Sequence, residues 1–181
     1  MSKVDKIQFL ESLEDKVENH LKETIHTFQN LHKTVLLKPA DNNGWSMAQC
    51  FEHLNSYGNY YLPQIKKGLI DYKGESTTTT FSSTWLGTYF TNMMQPENTK
   101  KYKAFKGHIP SIELDAHAVL AEFIEQQEML LSYLKQAKNV DINKVRIPIS
   151  IAKFIKLKLG DVFQFMIAHD ERHLQQAKRN L

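Results

Sequence analysis

From Lys6 to His32 the apolar positions Phe9, Leu10, Leu13, Val17, Leu21, Ile25, Phe28 and Leu31 recur three or four residues apart, with Thr24 on the same stripe. That spacing lines up one side of an α-helix, so the pattern predicts a first helix over 6–32. It stops at Lys38-Pro39-Ala40-Asp41-Asn42-Asn43-Gly44, where proline and glycine oppose helical continuation. A second helix opens at Trp45-Ser46: Ser46 is a good N-cap, and Gln49 three positions on can reach back to close a capping box. The stripe continues to about Gly68 with Pro63 inside it, so this helix either kinks there or stops near Leu62 and restarts.

Residues 71–110 carry no comparable stripe. Gly74, the threonines 77–80, Ser82 and Ser83 precede a short apolar group, Trp85, Leu86, Tyr89 and Phe90, which predicts a long crossover holding one short helix. A third helix is predicted over 111–136 from Ile112, Ala116, Leu120, Phe123, Ile124, Gln127, Leu131 and Leu134. Residues 140–159 are apolar but interrupted by Pro148, and are expected to be extended or loosely structured. The last helix should run from Gly160-Asp161, with Asp161 as N-cap, to about Arg179. Strand signals are too few and too short for a competing sheet. Four long helices with a long connection between the second and third predict an all-α four-helix bundle of the crossover form. At 181 residues, 1–181 is expected to form a single domain with one core.

Composition changes this picture little, since 41% hydrophobic and 24% charged residues are ordinary for a soluble globular chain. Charge removes some functions: 23 cations interleave with 20 anions for a net +3, too mixed for a dedicated nucleic-acid surface. Lys100, Lys101, Lys103 and Lys106, among Tyr102 and Phe105, form one local cluster, and Lys153, Lys156 and Lys158 form another; both are expected to be solvated faces. The expected partner is a small molecule, with no nucleic acid and no membrane. Cys50 stands alone, which precludes an intramolecular disulfide and fits a reducing compartment, so cytoplasm is the expected location. Asp5, Glu11, Glu14 and Asp15 interrupt any apolar leader, and no run approaches about 18 apolar residues.

The candidate chemistry lies in the histidines. On the last helix His169 and His173 are four apart, and the turn per residue puts His173, Val162, Phe165, Met166 and Gln176 all within about 60 degrees of His169. They continue the inward stripe, where two imidazoles can share a metal ion. On the second helix Ser46, Gln49, Cys50, Tyr57 and Tyr60 fall on the same side as His53, a polar face that suggests a wet cavity. Two readings stay open on this pattern: a three-histidine metal site, or histidines hydrogen-bonded in the core. Among the others, His20, His26 and His32 lack an i,i+3 or i,i+4 histidine partner and His108 sits in a loop beside Pro110. His117, on the apolar side of the third helix, is the substitute ligand if one assignment fails.

Carboxylates fit a catalytic base poorly. Glu52, Asp170 and Glu171 lie about 100 degrees or more from the histidine faces and are expected at the surface, or behind an imidazole, orienting it through its free N–H. Tyr57 and Tyr60 are better placed to contact a ligand. Cys50 is expected to be a buried structural thiol.

Trp45-Ser46, His53-Leu54 seven residues later, and His169-Asp170-Glu171-Arg172-His173-Leu174-Gln175-Gln176 together resemble the DinB-like superfamily, over most of the chain and in the family's order. The resemblance implies a four-helix bundle with His53, His169 and His173 on a divalent metal, zinc or nickel, completed by water, and commonly a homodimer. It also implies one of two activities: a YfiT-type metal-dependent hydrolase, or a transferase of low-molecular-weight thiols such as bacillithiol or mycothiol. A non-catalytic metal-binding or stress-response interaction module is the alternative, because a fold does not fix a reaction.

Overall fold

The computed structural model describes residues 3–41, 44–100 and 102–181. Asn42 and Asn43 of the first expected turn, and Lys101 of the first lysine cluster, lie outside the described residues. In chain order the elements are β1 (Val4–Asp5), α1 (Lys6–Thr27), α2 (Lys33–Leu36), α3 (Met47–Asp71), β2 (Thr80–Phe81), α4 (Trp85–Met94), a single 3-10 turn (Lys106–His108), α5 (Ala116–Ala137), β3 (Arg146–Ile149), β4 (Ala152–Lys158) and α6 (Leu159–Lys178).

The four long helices α1, α3, α5 and α6 form the expected bundle. Both α1 and α3 pack on α5 and on α6, which places α1 and α3 at opposite corners, and α5 and α6 at the other two. The crossover from α3 to α5 carries α4, which lies along α6. No helix among the described residues is long and apolar enough to cross a membrane.

Several boundaries differ from the sequence expectation, each for a local reason. The first helix ends at Thr27, not His32: Phe28 is its C-cap and is fully buried against Phe51, and His32 then caps the separate turn α2 by accepting from the Thr34 backbone N–H. Ser46 and Gln49 close the predicted capping box, and α3 passes through Pro63 without stopping. Pro63 and Asn59, whose carbonyl loses its helical partner there, are both exposed, so water can satisfy that carbonyl. The third long helix begins at Ala116 under an Asp115 cap, which leaves Ile112 outside it and 90% exposed.

Of the two expectations for residues 140–159 the extended one holds, and the extended segments pair: β3 and β4 form an antiparallel hairpin in which Ile147 lies opposite Leu157, with a register shift after Pro148. The other sheet is the two-residue pairing of β1 with β2. Asp161 does not cap α6. Lys158 holds the N-cap position without a side-chain bond, while the fully buried Asp161 carboxylate reaches across to accept from the Thr84 backbone N–H and from Thr84 Oγ1 at 2.7 Å. Thr84 in turn caps α4 through Gly87 N–H. Gly87 is required here, because a Cβ would sit 2.2 Å from the Asp161 carboxyl carbon.

Two apolar clusters fill the bundle. One gathers Leu10, Leu13 and Val17 with Tyr61, Ile65, Leu134, Phe163 and the hairpin; the other gathers Phe28, Leu36, Phe51, Leu54, Phe123 and Leu174. Along α3 and α6 the three candidate histidines fall at the junction between them.

Candidate metal centre

His53 comes from α3, and His169 and His173 from consecutive turns of α6, and the packing of these helices brings the three rings together. Ring centroids are 5.0 Å apart for His53 and His169, 4.7 Å for His53 and His173, and 4.8 Å for His169 and His173. One ring nitrogen from each lies within 4.8 Å of the other two. All three are buried, at 3%, 3% and 8% exposure.

Hydrogen bonds behind the rings fix which nitrogen points inward. His53 Nδ1–H donates to the carbonyl of His108 at 2.6 Å, and His173 Nδ1–H donates to Gln176 Oε1 at 2.9 Å. A carbonyl oxygen can only accept, so both rings are protonated at Nδ1 and present a lone pair at Nε2. Burial pushes the His53 pKa down to about 4 and His173, also facing His53, down to about 3. His169 is held well below the ordinary range by burial and by the two neighbouring histidines. Neutral imidazole is the ligand form. Two ligand nitrogens at about 2.0–2.1 Å from one ion at a tetrahedral angle stand about 3.3 Å apart; His53 Nε2 and His169 Nε2 are 3.2 Å apart. The donor set therefore fits a divalent cation that accepts nitrogen ligands.

The family model described as DinB superfamily matches residues 16–177, a span that includes all three histidines. The chain belongs to the DinB superfamily. No curated protein and no solved structure matches it.

Around the histidines of this DinB-superfamily bundle stands an aromatic wall. The Trp45 ring lies 4.8 Å from His53 and 5.8 Å from His173, Tyr57 lies 4.5 Å from His169, and Phe165 stacks on His169 at 5.7 Å. The crossover closes over this wall, with the His108 ring stacked on Tyr57 at 3.8 Å and its Nδ1 2.9 Å from Ser56 Oγ. Next to His173, Arg172 holds the same crossover by donating to the carbonyls of Gln95, Asn98 and Lys100. The sequence pattern singles out neither Trp45 nor Phe165 as a site residue and places His108 only in a loop beside Pro110. Helical phase places Phe165 near His169, but Trp45 precedes the N-cap of α3 and has no helical phase, and a backbone carbonyl acceptor leaves no trace in residue type.

Of the remaining candidates, Tyr57 is at the site, buried and kept protonated by a pKa pushed up to about 12. Tyr60 is not: its hydroxyl donates to the carbonyl of Ile149 and its ring meets Tyr61. The expected wet face of α3 is absent as such, because Ser46 and Gln49 are used in the capping box and Cys50 is fully buried in the apolar cluster with Phe28 and Leu36. Burial raises the Cys50 thiol to about 12, so it stays protonated. Asp170 and Glu171 do not orient the candidate ligands. Asp170 accepts from Gln127 Nε2, and Glu171 pairs with the buried His20 at 2.8 Å. Glu52 is half-buried and raised by burial and by Glu122. His117 is exposed, contrary to its expected inward position, and His26 is exposed as well.

Proposed function

We propose that this DinB-superfamily protein holds one divalent cation, zinc or nickel, on His53, His169 and His173 and uses it on a small-molecule substrate, as a hydrolase or as a transferase of a low-molecular-weight thiol. The convergence of three neutral imidazole nitrogens, two of them fixed in tautomer from behind, carries this reading. An ion bound there would leave a position open and lower the pKa of water or of a thiol bound at it. The chain supplies the rest. The His108 carbonyl and Gln176 keep the His53 and His173 rings aimed inward, and Trp45, Tyr57 and Phe165 keep bulk water away. Tyr57, holding its proton, is the donor available to a bound oxygen or sulfur. No carboxylate belongs to the histidine cluster among the described residues, so the cluster itself offers no carboxylate base.

A second reading, in which the ion only staples α3 to α6, draws on the burial of all three histidines. Elemental analysis of tag-free protein after reconstitution should give one equivalent of metal; a sub-stoichiometric result sinks both readings. Cobalt substitution separates them. An open position lets added small thiols change the visible spectrum, whereas a closed staple does not respond. Conjugation of small thiols to electrophiles, assayed beside ester and amide hydrolysis, then divides the two enzyme classes.

A further inference from the structure

The C-terminal half of α3 and the β3–β4 hairpin enclose a cleft of about 600 Å³ on the surface, within the range of small-molecule sites. Lys67, Lys144, Arg146, Lys153 and Lys156 line it against one carboxylate, Asp71. Lys67 is paired with Asp71 at 2.6 Å and Lys144 with Asp141 at 3.8 Å. Arg146, Lys153 and Lys156 make no ion pair among the described residues. Lysines on a short exposed hairpin commonly guard its edges. These differ in converging with cations from a helix and from the loop before β3 onto one concavity.

The walls are held in place before any ligand arrives. Gly68 lets α3 approach the hairpin so closely that a Cβ there would stand 2.8 Å from Val145 Cγ1 and 3.0 Å from Ile147 Cδ1. The hairpin turn is also tied to α3, since Ser150 N–H donates to Tyr61 Oη at 3.2 Å and Tyr60 donates to the Ile149 carbonyl. A site with fixed walls loses little freedom on binding.

We propose that this cleft binds a small molecule carrying two or more clustered phosphates. Cations around a concave surface focus positive potential where an anion enters. The Arg146 guanidinium can take a phosphate in bidentate fashion, with the lysines as point charges around it. Tyr60 and Tyr72, also in the lining, offer apolar surface to the remainder of the ligand. A concavity suits a small ligand better than a lipid surface or a long nucleic acid, which need an extended basic face. None of the candidate metal ligands lines the cleft, so the proposal stands apart from the metal reading.

The test is calorimetric titration of tag-free protein in EDTA with inorganic triphosphate at about 150 mM salt, with backbone amide NMR to locate the contact. One saturable equivalent is expected, with shifts confined to residues 60–72 and 144–156. Arg146→Gln/Lys153→Gln/Lys156→Gln should weaken binding about tenfold or more. The charge-matched Lys22→Gln/Lys33→Gln/Lys38→Gln should leave it unchanged, circular dichroism confirming that both variants fold. Absence of saturation at millimolar triphosphate, equal loss in the two triple variants, or binding seen only with anionic phosphatidylserine vesicles or a single-stranded oligonucleotide would overturn the proposal.

Discussion

His53 and Tyr60 stand two helical turns apart on α3, yet one meets α6 and the other the hairpin, so substitution should separate them. His173→Ala and His53→Ala each remove one of three nitrogens and should bring bound metal below about a tenth of an equivalent after desalting. Tyr60→Phe should retain full metal, since its hydroxyl bonds the Ile149 carbonyl, away from the three histidines. Gln176 touches the centre indirectly. Its amide oxygen accepts from His173 Nδ1–H, and outer partners of this kind are worth about 10–100-fold in affinity. Gln176→Ala should therefore weaken zinc binding about tenfold in competition with a chromogenic chelator, with little effect on folding. Equal affinity would mean that packing against Trp45, His53 and His169 holds the His173 ring without this bond.

At the scale of elements, α6 organises the site and the crossover together. Its first turn buries the Asp161 carboxylate under the start of α4, and its C-terminal half carries His169, His173 and the Arg172 tether to residues 95–100. Asp161→Ala leaves the Thr84 N–H and hydroxyl without their acceptor in a buried place, and should cost about 3 kcal/mol in chemical denaturation. Ser46→Ala, which removes a single capping bond, should cost about 1 kcal/mol. The helices and the histidine faces were legible because 3.6-residue periodicity is local and survives in one sequence. The hairpin was hidden because Lys153, Lys156 and Lys158 blur the two-residue alternation around Pro148. Asp161 misled for a related reason: aspartate near a helix start usually caps that helix, and only the tertiary fold shows that it instead holds Thr84, the cap of another. The ties made by Arg172 and the His108 carbonyl join positions more than 50 residues apart through backbone acceptors, which no residue pattern records.

For the whole molecule, burying three uncharged imidazoles makes stability depend on pH. In the unfolded chain each histidine takes up a proton near pH 6.5, whereas in the fold His53 does so only near 4 and His173 only near 3. Between those values the unfolded state binds more protons, so by linkage the metal-free protein keeps this stability above about pH 6.5 and loses it as pH falls toward 4 and below. Each imidazole contributes a slope of about 1.4 kcal/mol per pH unit inside its window. Asp170 opposes this, since burial raises its pKa to about 6 and the folded state then takes up a proton the unfolded chain lacks until about pH 3.8. Glu52, also raised, acts in the same sense as Asp170, whereas the lowered His108 and Glu171 add to the three site imidazoles, so the balance is a net loss on acidification. Urea denaturation at steps from pH 7.5 to 4.5 in EDTA should show it, and His173→Gln, which removes one titrating group, should reduce the slope by about one proton. Saturating zinc should raise the urea midpoint at pH 7.5 and make the acid loss steeper, because protons then compete with the ion for the same nitrogens. A zinc-independent midpoint would count against the histidines as its ligands, and a metal-free profile flat between pH 6.5 and 4.5 would mean that these rings are already charged in the fold.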